Sequence, residues 1–281
     1  MSQVLNLRRP AGLVLAGGGS LGAWQAGALL ALEEAGLSFD AVLGFSAGAI
    51  NGSAYALGEM ALARRRWLDC DRLLRPSPRL WPPSLFSARP LCEKFDFLQD
   101  EERARQRSRC RLVVASASRG QDRRLYAEFD AKRGIWDGPL VRQVLASCAI
   151  PLIFPPVRLK LRGREELCVD AGVNSREPFS LASLGHCADV LVIEMVLPRE
   201  LERRTWTPWS ALDRRGRFLC WRLIEEGAAE LRRRDPQTRL LRLRPSRPLS
   251  WRMLDFSSEL ARQAAQLGEA DARAFLEAGA P

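Results

Sequence analysis

The stretch that decides the fold is residues 11–58, AGLVLAGGGSLGAWQAGALLALEEAGLSFDAVLGFSAGAINGSAYALG. Residues 12–16 form a short apolar run that ends in the glycines 17–19, and residues 22–35 then carry helix-compatible side chains. The same order of strand, turn and helix repeats at once in residues 41–57. Two successive units of this kind predict an α/β fold of three layers, with a central, mostly parallel sheet covered by helices on both faces.

The rest of the chain continues this alternation. Further strands are predicted at 111–117, 125–129, 157–161, 167–169, 190–196 and 239–243, and further helices at 60–74, 140–147, 212–231 and 257–278. Residues 75–90 contain five prolines, which rule out a long helix and leave a lid, a membrane-touching flap or a packed connector as alternatives. We expect one domain over 1–281, with a catalytic core at 11–198 and an Arg- and Trp-rich C-terminal subregion at 199–281.

The charge balance favours an anionic partner. Lys and Arg number 43 against 33 Asp and Glu, a formal net charge of +10. A phospholipid surface or a nucleic acid would be attracted, although a genome biased toward arginine codons would produce the same excess with no partner at all. Tryptophans interleave with arginines between residues 199 and 252, a mixture that suits a lipid headgroup zone. We therefore expect peripheral contact with an anionic membrane surface and no nucleic acid partner.

The cysteines and the N-terminus indicate a compartment. Seven cysteines stand singly with no C-x-x-C pair, so the sequence suggests neither a disulfide framework nor a zinc site, and a reducing cytosol fits best. The first ten residues, MSQVLNLRRP, contain no apolar stretch of signal-peptide length. The uncharged windows 11–32 and 41–58 are long enough for a membrane span but are interrupted by glycines, and they are interpreted as strand, turn and helix.

The string Gly44-Phe45-Ser46-Ala47-Gly48 matches the G-x-S-x-G nucleophile elbow, in which a sharp turn between strand and helix exposes a serine hydroxyl. A helix starting at Ala47 directs its free N–H groups at Ser46, so the Ala47 amide is a candidate oxyanion donor. The side-chain-free amides of Gly17, Gly18 and Gly19 are further candidates.

Two other interpretations remain open at this stage. Residues 17–22 also satisfy G-x-G-x-x-G, the dinucleotide-binding pattern, but the nearest acidic residue, Asp40, precedes the second strand instead of following it. A Ser-His-Asp triad would have to use His186, the single histidine, which stands just before a predicted strand in no catalytic pattern.

Four ordered blocks resemble the patatin-like phospholipase family. They are GGGSLGAWQAGAL from residue 17, GFSAGAINGSAYALG from 44, SCAIPLIFPPV from 147 and VDAGVNSREP from 169. The resemblance implies a patatin-like fold, Ser46 as nucleophile and Asp170, in Asp170-Ala171-Gly172, as its base. It marks Gly22, Gly44, Gly48 and Gly172 as motif glycines.

The resemblance also implies the chemistry. The expected activity is hydrolysis of a phospholipid or other lipid ester through a serine–aspartate dyad and an acyl-enzyme, with no metal or cofactor and with no protein partner indicated. Burial and a direct hydrogen bond would tune Asp170 for proton transfer. The chain departs from the family at Leu21, where many relatives carry Arg or Lys, and at Ala171, where Gly is usual. A lipid-binding protein with weak catalysis remains an alternative.

Overall fold

The computed structural model describes residues 5–161, 164–172, 177–202, 204–249 and 251–279. The strands are β1 (Ala11–Leu15), β2 (Ala41–Phe45), β3 (Arg75–Arg79), β4 (Ser84–Ser87), β5 (Arg111–Ser118), β6 (Arg124–Asp130), β7 (Ile135–Trp136), β8 (Val157–Leu161), β9 (Arg164–Asp170), β10 (Asp189–Ile193) and β11 (Arg239–Leu243). The helices are α1 (Gly22–Glu34), α2 (Ala47–Ala56), α3 (Met60–Trp67), α4 (Arg89–Lys94), α5 (Glu101–Arg107), α6 (Leu140–Ser147), α7 (Pro198–Leu201), α8 (Pro208–Arg234) and α9 (Ser258–Ala278).

One large sheet organises the molecule. Its parallel part runs in the order β11-β10-β1-β2-β5. On the β5 side the sheet continues in antiparallel orientation through β6 and β7, and through β9 and β8. The predicted mostly parallel central sheet is confirmed. The carboxyl ends of β1 and β2 lie side by side at one edge of the sheet, because the two strands are paired and parallel.

Alternate residues of each strand bury into two separate apolar layers, as the two-residue period of a strand requires. Leu13 and Leu15 of β1 belong to a core shared with α1, α2, α3 and α9. Val14, between them, belongs to a second core shared with α8. These helix, sheet and helix layers confirm the three-layer α/β fold.

Helices α1 and α9 pack along each other on the first face. The indole N–H of Trp24 donates to the Asp271 carboxylate at 2.8 Å, a buried polar link between them. Among the described residues, no helix combines the length and the apolar content that a membrane span requires.

Two local predictions need correction. The helix predicted at 60–74 ends at Trp67, because the chain turns there to cap α9: the Asp71 carboxylate accepts the Ser258 N–H at 2.7 Å. The proline-rich segment 75–90 contains no long helix, as predicted, but β3 and β4 form an antiparallel hairpin in it that the sequence does not indicate. Prolines are tolerated in such a two-stranded ribbon because both of its strands are edge strands.

Candidate active site

Ser46 lies at the sharp turn between β2 and α2, where the sequence predicts the elbow. Its φ of 55° and ψ of −128° are adopted by a non-glycine residue only when the surroundings hold it there. The Ser46 N–H donates to Oγ of Ser147 at 2.8 Å, and that hydroxyl donates to the Ala115 carbonyl at 2.6 Å. Ser147, the last residue of α6, thus links the elbow to β5. The sequence analysis did not predict this role for Ser147.

The elbow glycines are required by close approach of backbone to backbone. A Cβ on Gly44 would lie 2.3 Å from the carbonyl oxygen of Gly48, and a Cβ on Gly48 would lie 2.1 Å from that of Leu15. No rotamer change relieves such contacts, because the opposing atoms belong to the main chain. Helix α2 therefore packs directly on the end of β1.

The glycine loop, residues 17–19, touches the serine. A Cβ on Gly17 would lie 2.9 Å from Cβ of Ser46. Gly19 has a φ of 57°, which favours glycine, and a Cβ there would lie 2.2 Å from the Met253 carbonyl oxygen. The same carbonyl accepts the Ser20 N–H at 2.7 Å. The loop is therefore held between Ser46 and a segment far along the chain.

Unused N–H donors lie next to the serine and in the adjoining glycine loop. The amides of Gly17, Gly18, Gly19 and Ala47 find no hydrogen-bond acceptor in the described ranges. The first turns of α1 and α2 begin beside them, and neither turn carries an acidic residue. The positive ends of the two helix dipoles are therefore not neutralised, and the arrangement favours negative charge near Ser46.

Buried amide side chains fix the two helix starts relative to each other. The Asn51 side-chain amide donates to the Gly22 carbonyl and to Oε1 of Gln25, both at 3.0 Å. Oδ1 of Asn51 accepts the Trp67 indole N–H at 2.7 Å, and Gln25 donates to the Ala16 carbonyl at 3.3 Å. Since these groups satisfy one another away from water, the network holds the glycine loop and the elbow at one spacing.

Asp170 ends β9 and lies beside the elbow. Phe45 is opposite Ala115 and Asp170 is opposite the next residue, Ser116, both on the same side of β5, because β6 pairs with these two residues on the other side. Strand β9 thus continues along β5 where β2 ends, and this places Asp170 next to Ser46 on the same side of β5. The Gly172 N–H donates to Oδ1 of Asp170 at 2.7 Å and orients the carboxylate.

Burial raises the pKa of Asp170 to about 6, and three weaker effects oppose it: hydrogen bonding by Ser46, the Gly172 amide and the Arg124 charge. Oδ2 of Asp170 is buried and makes no hydrogen bond within the described chain, so the contact with Ser46 is not a fully formed hydrogen bond. Pairs of catalytic groups are often long before a substrate binds and then tighten.

Arg124 supports the aspartate from behind and was not anticipated from the sequence. It is a buried residue at the start of β6, and its guanidinium donates to the Ala171 carbonyl at 2.5 Å and to the Glu177 carbonyl at 3.0 Å. Burial lowers the pKa of Arg124. A buried charge beside Asp170 favours the ionised carboxylate, so this residue tunes the candidate base.

The two departures from the family have clear local outcomes. Leu21 is fully buried in the first core, so an apolar side chain stands where many relatives carry a cation. Ala171 is buried and its φ is not positive, so the turn after Asp170 does not need a glycine there. Residues 173–176 of the last family block lie outside the described residues.

The acidic residue and the histidine that the two rival interpretations would need lie at the other edge of the sheet. His186 precedes β10 and Asp40 precedes β2, so both stand at amino ends of strands, about 16 Å from the carboxyl ends. The Asp40 carboxylate accepts the Arg9 guanidinium and the Ala11 N–H. A cavity of about 280 Å³ opens at this edge beside Asp40, and no other residue of the candidate sites lines it. Within the described chain, no three His, Cys, Asp or Glu side chains group as metal ligands do.

Comparison with known proteins establishes the family. The model of the patatin-like phospholipases matches residues 13–183. The chain is 30% identical over 215 residues to the uncharacterized protein YqhO of Bacillus subtilis (strain 168). This match covers 68% of this chain and 72% of that protein. A 48-residue stretch is 54% identical to lysophospholipase nte1 of Aspergillus terreus, which covers 17% of this chain and 3% of that protein. The chain belongs to the patatin-like phospholipase family, and this membership supports a lipid acyl hydrolase activity.

Solved structures with a similar course of the chain include two bacterial proteins. VipD from Legionella pneumophila has a TM-score of 0.48 at 14% identity, with 94% of this chain and 67% of that chain covered. The type III effector protein ExoU, known from Pseudomonas aeruginosa, has a TM-score of 0.42 at 16% identity. That comparison covers 96% of this chain and 54% of the ExoU chain.

Proposed function

We propose that the protein hydrolyses carboxylic esters of phospholipids or related lipids through a Ser46–Asp170 dyad and an acyl-enzyme. The observation that carries the proposal is one arrangement: a strained serine lies between unused backbone N–H donors and a buried carboxylate. Family membership supports the lipid substrate, while the arrangement supports the mechanism.

The proposed reaction has two steps. Asp170 takes the proton of the Ser46 hydroxyl as Oγ attacks the ester carbonyl carbon, and the amides of Gly17, Gly18, Gly19 and Ala47 stabilise the oxyanion. The intermediate collapses, and the departing alcohol receives the proton from Asp170. Asp170 then deprotonates a water molecule that attacks the acyl-enzyme, and the fatty acid leaves as Ser46 recovers its proton. Each proton taken by the carboxylate is returned within the same step.

The alternatives have less support. A dinucleotide site needs an acidic residue beside the glycine loop to hold the ribose, whereas Asp40 stands at the opposite edge and is already paired with Arg9. A lipid-binding protein with weak catalysis would share the fold and the family, so only a chemical measurement separates it from an enzyme.

A fluorophosphonate probe provides that measurement, since it reacts with an activated serine hydroxyl. We expect the wild-type protein to be labelled and Ser46→Ala to be unlabelled. Ser53→Ala is the matched control, because Ser53 is a buried serine of α2, the helix that follows Ser46. Its hydroxyl donates to the Ala49 carbonyl, away from the candidate dyad. An unlabelled wild type, or equal labelling of Ser46→Ala, would reject the serine hydrolase proposal.

The pH dependence follows from the raised pKa of Asp170. The ionised carboxylate is the base, so kcat/KM on a soluble ester should rise with pH through about 6 and level off above it. Arg124→Met should move this midpoint upward, since the Arg124 charge lowers the pKa of Asp170, whereas the charge-conserving Arg124→Lys should move it less. A profile with no inflection between pH 5 and 7 would contradict the assignment of the base.

A further inference from the structure

The exposed large apolar side chains of the described chain are concentrated in two places. Leu80, Trp81, Leu85 and Leu152 form what we call the hairpin patch, and Trp206, Trp209 and Leu212 form what we call the helix patch. Phe218 is the remaining member of this exposed set. Leu80 and Trp81 are 96% and 85% exposed, and Trp206 is 83% exposed, so no described residue covers them. Clustered exposed apolar side chains mark an interaction surface.

The hairpin patch borders the Asp170 side of the active site. The Leu85 and Phe86 N–H groups donate at 2.9 Å to the carbonyls of Leu152 and Ile153, which anchors the β3–β4 hairpin on that segment. Three residues before Leu152, the carbonyl of Ala149 accepts the Asp170 N–H at 3.0 Å. The hairpin therefore extends from the segment that holds the candidate base.

The helix patch borders the other side, beside the glycine loop. Helix α8 leads into parallel strand β11, so it runs antiparallel to the central strands and begins at their carboxyl edge. Its 27 residues span about 40 Å, whereas a five-residue strand spans about 16 Å. Near this edge the Asp213 carboxylate accepts the Met253 N–H at 2.6 Å, and Met253 contacts the glycine loop. The first turns of α8, with Trp209 and Leu212, therefore project beyond the edge at which Ser46 lies.

Unpaired cations accompany both patches. Beside the patches, Arg75 and Arg79 on the hairpin, and Arg204, Arg214 and Arg215 around the start of α8, are exposed and make no ion pair with a described residue, as is also true of exposed arginines elsewhere in the chain. Tryptophan and leucine beside arginine match a lipid interface, where apolar side chains enter the acyl boundary and cations meet anionic headgroups.

We propose that the hairpin patch and the helix patch together form a surface that docks on an anionic lipid bilayer, with the active site between them. The two patches act as separate contacts on either side of Ser46, so the bilayer is presented to the serine when both are engaged. The proposal extends the proposed function, but docking itself needs no turnover and can be measured with a catalytically inactive protein.

The test uses the Ser46→Ala protein and sedimentation with vesicles of phosphatidylcholine, either alone or with phosphatidylglycerol. We expect binding to the anionic vesicles, and at least tenfold weaker binding at about 0.5 M salt than at about 0.05 M, because salt screens the arginines. Adding Leu80→Ser with Trp81→Ser, or Trp206→Ser with Trp209→Ser, should weaken binding about tenfold in each case, since each pair removes two inserting side chains.

Phe218→Ser is the matched control. Phe218 is an exposed aromatic residue of the same helix, packed on Trp221 with ring centroids 5.9 Å apart, and it points about 180° away from Trp209 around the helix axis. We expect it to bind vesicles as the Ser46→Ala parent does, and circular dichroism and thermal melting should show each variant folded.

Three outcomes would overturn the docking surface: no binding of the folded parent to anionic vesicles, undiminished binding of both double variants, or equal loss in Phe218→Ser. Dimers that disappear with the patch substitutions, in the absence of vesicle binding, would assign the surface to a second copy of the chain instead. Vesicle binding by a wild type that no fluorophosphonate labels would refute the proposed catalysis and leave the docking surface standing.

Discussion

Asp170→Asn is expected to lower kcat on a lipid ester about 10³-fold, while His186→Ala keeps turnover within about twofold of wild type. The amide cannot accept the serine proton, and a positioned general base contributes about 10²–10⁴-fold to rate. His186 lies at the amino edge of the sheet, too far from Ser46 for proton transfer. Both variants should be assayed on one ester at pH 8, where the wild-type carboxylate is ionised.

The paired design separates two assignments of the base. Loss of turnover in His186→Ala alone would replace the dyad by a histidine-dependent mechanism, and equal turnover of Asp170→Asn and wild type would exclude Asp170. Fluorophosphonate labelling of both proteins distinguishes loss of serine activation from loss of substrate binding, because the probe reacts with an activated serine and does not require binding of the lipid ester.

The same substitution has a stability signature. The folded-state pKa of Asp170 is raised from 3.8 to about 6, so the native state binds a proton more tightly than the unfolded chain does. The protonated carboxyl thus contributes about 3 kcal/mol to the free energy of unfolding below pH 4, and this contribution is lost as pH rises through 6. Urea unfolding should therefore show Asp170→Asn gaining stability relative to wild type between pH 4 and pH 8. A constant difference across this range would contradict the buried ionisation.

Gly48→Ala is expected to destabilise the protein by about 3 kcal/mol and to reduce turnover at least 100-fold. Its Cβ would lie 2.1 Å from the Leu15 carbonyl oxygen, so α2 must move away from β1. This shift separates Ser46 and the Ala47 amide from the glycine loop, and a displacement of about 1 Å in a catalytic site costs about 10²-fold. Urea unfolding and ester hydrolysis measure the two effects.

Gly52→Ala is the control for this prediction, one turn further along the same helix. Its Cβ would meet only side-chain carbons, the closest being Cγ1 of Val42 at 3.2 Å. We expect stability within about 1 kcal/mol of wild type, because alanine is the better helix former, and near-normal turnover. Equal losses of stability and turnover in the two variants would mean that any added methyl group disturbs α2. The close packing of Gly48 on β1 would then not explain the effect of Gly48→Ala.

The start of the fold could be predicted because β1 and β2 are short apolar runs that lead into the glycine loop and into the motif serine. Strands β8 and β11 have the predicted bounds, and so does α6. Buried parallel strands produce such uninterrupted apolar runs, which makes them easy to recognise. The β3–β4 hairpin could not be predicted in this way, because its prolines break every periodicity and its strands pair with each other away from the main sheet.

The candidate site was predictable where local sequence carries the chemistry. Ser46, Ala47 and residues 17–19 are marked by turns that only small residues allow, and Asp170 by the family block. Ser147, Arg124 and Met253 act through contacts made by folding alone, from α6, β6 and the segment before α9. Nothing in their own neighbourhoods marks a serine, an arginine or a carbonyl for these contacts, so they became visible only in three dimensions.

The contacts between Ser20 and the Arg252–Met253 segment have a consequence for the kinetics of folding. The Ser20 hydroxyl donates to the Arg252 carbonyl at 3.1 Å, across 232 positions of sequence, and the adjacent Met253 carbonyl holds the glycine loop. Contacts of such high sequence separation form only after the entropy of closing the intervening chain has been overcome, which slows their formation. The elbow can form early, because it depends on nearby strands such as β1 and β2. The glycine loop can reach its final position only after the last quarter of the chain has folded against it. We therefore expect ester hydrolysis to be regained during refolding only after most of the secondary structure has formed.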